Sequence, residues 1–186
     1  MLGVGFIVII GIGYYLYQNN GSVHAPEQTS MMLTSTSFKQ GESIPSKYTC
    51  DAENVSPPLS ISGVPENAKS LVLVLNDPDV PKALKPDGNF DHWVLYGLDP
   101  KTAEIPEGAM SGTEGLNGAG KPGYTGPCPP GNYEPREHRY FFTLYAVDTT
   151  LNFIKAPTKE DVLTAIQNNV IEKAEFMGTY KRVVSE

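Results

Sequence analysis

Residues 71–79 read Leu71-Val72-Leu73-Val74-Leu75-Asn76-Asp77-Pro78-Asp79. A continuous apolar run of this length, stopped by Asn, Asp and Pro, is the pattern of a strand buried on both faces. Its end carries two carboxylates in a turn that Pro78 stiffens. In an extended chain residues i and i+2 share a side, so Asp77 and Asp79 are expected to emerge together.

Outward from this strand the periodicity remains that of β structure. Residues 93–98 and 140–147 (YFFTLYAV) are aromatic and β-branched runs, and shorter strands are expected at 32–35, 59–62 and 177–184. Turn residues separate them at 54–58, 64–67 and 86–89. One helix is marked. Pro157 and Thr158 precede residues 159–173, Thr158 with Asp161 makes a capping-box pattern, and Val162, Ala165, Ile166, Val170 and Ala174 supply one apolar stripe. The fold expected is mainly β, with at least one C-terminal helix packed on a sheet.

The segment 108–131 is rich in Gly and Pro and has no repeated apolar pattern. A loop of that length inside a compact domain usually serves a function. Its end, Gly126-Pro127-Cys128-Pro129-Pro130-Gly131, is too stiff for a linker and is expected to shape something.

The chain has 186 residues, 40% of them hydrophobic and 19% charged, with 18 Gly, 16 Pro and two Cys. That length suits one domain with a sizeable core. A net charge of −7 removes the electrostatic footprint of a nucleic-acid binder. Two cysteines exclude both a disulfide-dense scaffold and a Cys-rich zinc module.

Residues 1–17 (MLGVGFIVIIGIGYYLY) form an uncharged apolar run at the lower length limit of a spanning helix. Tyr14, Tyr15 and Tyr17 cluster at its end, as aromatic rings do at membrane interfaces. It is expected to be a membrane anchor or uncleaved signal segment, holding the domain outside the cytoplasm. Residues 18–30 then form a polar tether, and residues 31–186 the folded domain.

Three constellations could carry chemistry: Asp77 and Asp79 at a strand end, Asp91-His92-Trp93 at a strand start, and His138-Arg139-Tyr140. By the i, i+2 rule His138 and Tyr140 share a side and Arg139 faces away, which suits a structural ion pair. Two imidazoles and a phenol can converge as donors on a phosphate or carboxylate, with Asp77 orienting a ring and Asp79 free to organise the loop. Singly, each of these signals is ordinary strand or turn sequence.

Together they resemble the phosphatidylethanolamine-binding protein family, in its prokaryotic, Raf-kinase-inhibitor-like branch. The resemblance rests on DPDVP from Asp77, FDHWVLYGL from Phe90, the GxNGxGxxGYTGPCPPG pattern from Gly115, and HRYFFTLYAVD from His138. KYTCD from Lys47, SPPL from Ser56 and AEFMGTY from Ala174 match as well. It implies two packed antiparallel sheets with Greek-key connections, one or two peripheral helices, and a small anion pocket at one end. The implied ligand-binding residues are Asp77, Asp79, His92, His138 and Tyr140, with walls from Gly126, Pro129 and Pro130. The implied partner is a small anion or phospholipid headgroup, with no cofactor. Some members are described instead as kinase or serine-protease inhibitors, for which residues 80–90 would be the contact patch, away from the pocket.

An enzyme is not expected. There is no G-x-S-x-G elbow, and a Cys128–His138 thiol pair sits among prolines that suggest structure. Nor is a metal site, since His92, His138 and Asp77 lack a clustered ligand motif. For Cys50 and Cys128 two readings stand, a bridge or two buried thiols. A bridge would stabilise by roughly 4 to 5 kcal/mol in the chain-entropy model. A Cα separation above about 7 Å would exclude it.

Overall fold

The computed structural model describes residues 30–108 and 111–182. Among them lie β1 (Met32–Thr34), β2 (Leu59–Ser62), β3 (Ser70–Asp77), β4 (Phe90–Leu98), β5 (Glu104–Ile105), β6 (Thr113–Glu114), β7 (Glu137–Val147), α1 (Lys159–Ile166) and β8 (Val170–Lys181). The strands form two antiparallel sheets, ordered β1-β2-β5 and β6-β4-β3-β7-β8. β3 pairs with its sequence neighbour β4 on one side and with β7 on the other, which is reached only after a long crossover.

The double burial read from residues 71–76 has a simple cause: three layers. Leu71, Leu73 and Leu75 face the three-stranded sheet and share a core with Leu33, Leu59, Ile105, Trp93, Phe142 and Phe176. Val72 and Val74 face the other way, packing with Val94, Tyr96 and Val147 under Val162 and Ile166 of α1. A strand at the middle of a covered sheet has no wet side, so its apolar residues run on without alternation.

The helix begins as the sequence indicates. The Thr158 hydroxyl accepts the Asp161 N–H, and the Asp161 carboxylate accepts the Thr158 N–H. It ends sooner than expected. Asn168 and Asn169 are weak helix formers that favour turns, and the β-branched Val170 and Ile171 open β8. Of the expected stripe, Val162 and Ile166 pack under the helix, whereas Ala174 lies in the sheet core.

The membrane expectation is corrected. Residues 1–17 lie outside the described residues, as does nearly all of the tether. Among the described residues no helix is long and apolar enough to cross a membrane. The eight residues of α1 span about 12 Å against a hydrocarbon core of about 30 Å. Neither anchoring nor an extracytoplasmic location is indicated.

One irregularity positions the site. Pairing between β3 and β4 runs Val74↔Val94 and Leu75↔Trp93, then jumps to Asn76↔Asp91, leaving His92 without a partner. This extra residue is a β-bulge, a device that re-aims a side chain. Strict alternation would turn His92 away from Trp93 and towards the helix side. The bulge puts both on the inner face.

Candidate functional site

Because β3 is antiparallel to both neighbours, its C-terminal end meets the N-terminal ends of β4 and β7. Asp77 is therefore flanked by His92 and His138. His138 Nδ1 lies 2.7 Å from Asp77 Oδ2, and His92 Nε2 lies 3.9 Å from the same oxygen. The other Asp77 oxygen accepts the Asp79 N–H at 2.8 Å. Burial pushes the Asp77 carboxyl up, but the hydrogen bonds from His138, His92 and the Asp79 N–H outweigh it, and the group titrates below the usual carboxylate value.

An ionised carboxylate only accepts, so His138 Nδ1 carries the hydrogen it shares with Asp77. By the same logic His92 Nδ1 donates to the Thr125 carbonyl at 2.6 Å, since a carbonyl cannot donate. Both rings are thus fixed in orientation, with each Nε2 turned to the interior of the site. Tyr140 packs edge-on to His92, with centroids 5.2 Å apart, and alongside His138. Burial, reinforced by the Asp77 charge, pushes its phenol well above the ordinary tyrosine value, so the hydroxyl keeps its proton.

The His138 Nε2 and Tyr140 Oη atoms are buried with no partner among the described residues. Buried polar atoms are nearly always paired, and an orphan calls for an explanation. Here His138 borders a cavity of about 250 Å³, which Asp77, His92, Gly126, Pro129 and Pro130 also line. Tyr140 sits behind the histidines, outside the lining, with its ring fully buried.

Asp79 does not join them. Its carboxylate takes the Arg139 N–H at 2.9 Å, Nε at 2.8 Å and Nη2 at 2.7 Å, an ion pair on the outer side. That pairing holds its carboxyl below the usual value. The expectation that both carboxylates emerge together fails because β3 ends at Asp77, whose side chain captures the Asp79 N–H and turns the chain. Arg139 does face away from the cavity, as alternation along β7 requires.

The walls contain residues that sequence reasoning did not assign: Val80, Leu84, Phe90, Thr125 and Cys128. Residues 80–90, expected as a contact patch away from the pocket, contribute the first three and form its rim. Nothing periodic announces such residues, because a loop folding over a site leaves no repeat. Asn117 was also missed. Its side chain binds the Gly123 carbonyl, the Thr125 hydroxyl and the Ala119 N–H, clamping the loop that forms one wall. The Asn117-Gly118 pair is the local signal, a turn dipeptide.

The stiff loop end is fastened against residues 48–54. Cys50 and Cys128 form a disulfide with Cα atoms 5.4 Å apart. The Gly126 N–H donates to Asn54 Oδ1, and the Tyr124 hydroxyl to the Tyr48 carbonyl. A Cβ at Gly126 would meet Asn54 Oδ1 and the Tyr48 carbonyl at 2.5 Å, so only glycine permits this approach.

Two facing antiparallel sheets, with a small polar-floored cavity where the central strand meets its neighbours, define a β-sandwich protein with a candidate binding site at one end of the sheet. A model of the phosphatidylethanolamine-binding protein family matches residues 34–181. The chain belongs to that family. It is 46% identical over 153 residues to a UPF0098 protein of Chlamydia trachomatis, covering 82% of this chain and 99% of that one. A crystal structure of the phosphatidylethanolamine-binding protein homologue CT736 from Chlamydia trachomatis superposes with a TM-score of 0.79 at 46% identity, covering 83% of this chain and 99% of that chain. YbcL of E. coli, described as a member of the mammalian PEBP family, gives 0.73 at 26% identity, covering 83% and 100%.

Proposed function

We propose that the chain is a non-enzymatic binding protein for small anions, such as phosphate, a phosphorylated headgroup or a carboxylate. One observation carries this reading: His92 and His138 line the cavity, and His138 Nε2, with Tyr140 Oη behind it, is buried without a partner among the described residues. The phenol donates, and Nε2 donates whenever the ring holds both protons, with Asp77 beside it as counter-charge. In a chain of net charge −7 an anion must be held by such local geometry.

Absence of catalysis is part of the proposal. The Asp77–His138 pair resembles two members of a hydrolytic triad, but the neighbouring candidates for a nucleophile are engaged. Thr125 Oγ1 accepts from Asn117, and the Cys128 sulfur is in the disulfide. The inhibitor reading needs a separate contact surface, and the segment expected to supply it is the rim of the cavity instead.

Titration with inorganic phosphate, followed by NMR, tests the proposal. Resonances of residues lining the cavity are expected to shift in the native protein and to stay fixed in the His92→Ala/His138→Ala variant. Equal shifts in both would remove the assignment.

A further inference from the structure

The floor of the cavity suits an anion, but its walls say more about what the anion carries. About 250 Å³ is below the roughly 300–1,000 Å³ of ordinary ligand pockets, yet more than a bare tetrahedral oxyanion fills. The remaining space is bounded by Val80, Leu84, Phe90, Pro129 and Pro130. Leu84 is 52% exposed, one of few large apolar side chains left open on the described surface. An apolar rim above polar donors is a surface waiting to be covered by a group without charge.

A cationic group would find no partner there. Among the described residues Asp77 is the only carboxylate lining the cavity, and both of its oxygens are already engaged. Asp79 is committed to Arg139 outside. The aromatic face at the mouth is taken too. Lys85 Nζ lies 5.8 Å from the Phe90 ring centroid, is bound to the Asn89 carbonyl and sits 3.3 Å from Asp87. A second ammonium approaching Phe90 would meet that lysine and be repelled.

We infer that the ligand is an anion bearing an apolar substituent, an alkyl or aryl phosphate ester or carboxylate, and that an aminoalkyl headgroup such as ethanolamine is disfavoured. This rests on the anion-binding reading above and narrows it. The floor supplies charge recognition through His92 and His138, with Tyr140 packed behind them, and Leu84 with Phe90 supplies the selectivity.

Isothermal titration with inorganic phosphate, phenyl phosphate and phosphoethanolamine separates the two levels. Phenyl phosphate is expected to bind at least about tenfold tighter than phosphoethanolamine, the gain from covering one or two apolar carbon groups. Leu84→Ser, a half-exposed position that folding tolerates, is expected to remove most of that ratio. Equal or tighter binding of phosphoethanolamine overturns the inference while leaving anion binding intact. No binding of any of the three overturns the anion reading itself. With the selectivity established, cosedimentation with phosphatidic acid vesicles supports a membrane-borne source of the ester, and its absence supports a soluble one.

Discussion

Two polar clusters sit back to back at the same end of the five-stranded sheet, and they are built differently. On the helix side, Asp91 Oδ1 accepts Lys159 Nζ at 2.6 Å, Asn76 Nδ2 at 2.8 Å and Asn89 Nδ2 at 3.4 Å. Asn76 also donates to Asn89 Oδ1 at 2.7 Å. On the inner side, Asp77 holds His138 and His92, yet His138 Nε2 and Tyr140 Oη are left over. One cluster closes on itself and fastens α1 to the sheet. The other keeps donors in reserve. Burial and charge are similar in both, so neither sets the candidate site apart. Ser70 Oγ and Trp93 Nε1 are also unpartnered among the described residues, and what sets the inner cluster apart is unspent hydrogen-bonding capacity beside a cavity.

The most forceful way to break this contrast is Asp91→Ala. It leaves Lys159, whose side chain is only 15% exposed, with the exposed Glu160 carboxylate at 3.6 Å as its remaining counter-charge. Losing one partner of a mostly buried pair is expected to cost about 3 kcal/mol. Urea denaturation should show a lowered midpoint with anion binding retained. A loss below about 1 kcal/mol would mean that the helix-side cluster is not the structural one.

Acid sharpens the comparison next. The Asp77 carboxyl titrates below its ordinary value in the folded chain, so the folded state holds fewer protons there than the unfolded chain does. Its stabilisation is fully present above the ordinary carboxylate value of about 3.9 and is lost as pH falls through the depressed folded value. Asp79, lowered by Arg139, and Asp51, lowered by Arg182 and Tyr180, act in the same direction. Urea midpoints measured from pH 6 to pH 2 should fall on the acid side, and less steeply in Asp77→Asn. An identical slope in that variant would show that Asp77 contributes nothing to it.

The smallest stability effect is expected at Tyr140→Phe. Removing a buried hydroxyl that has no partner among the described residues leaves the unfolding free energy unchanged or raises it by up to about 1 kcal/mol. Phosphate affinity should fall all the same. A clear loss of stability would reveal that the hydroxyl has an internal partner and is not held for a ligand.

The sequence makes parts of this arrangement legible and hides others. The apolar run at 71–76 reports double burial directly, because no alternation is needed where both sides are covered. The capping residues Thr158 and Asp161 mark the helix start, but its end depends on the helix meeting two asparagines, Asn168 and Asn169, and the β-branched residues after them. His92, His138 and Tyr140 stand out as residue types at strand starts. The fates of the two neighbouring carboxylates do not, because the Asx turn at Asp77 that sends Asp79 to Arg139 is set by one local hydrogen bond. Val80, Leu84 and Phe90 reach the cavity through the path of a loop, which no period encodes.

The unpaired His92 in the β4 ladder has a further consequence. The two clusters share one strand, and a single surplus residue decides which side chain goes to which. Removing His92 would restore even pairing with Asp91 still on the helix side and the cavity without that ring, whereas removing Asp91 would turn the His92 ring towards α1 and take the carboxylate out of the helix-side cluster. Substitution can retune what the histidine holds, but only a change in residue count can move it to the other side. The spacing of this short stretch, odd rather than even, is therefore a constraint on the family of sequences that can keep both clusters. Length variation is accommodated more readily in the rim loop at 80–89, where parity has no meaning.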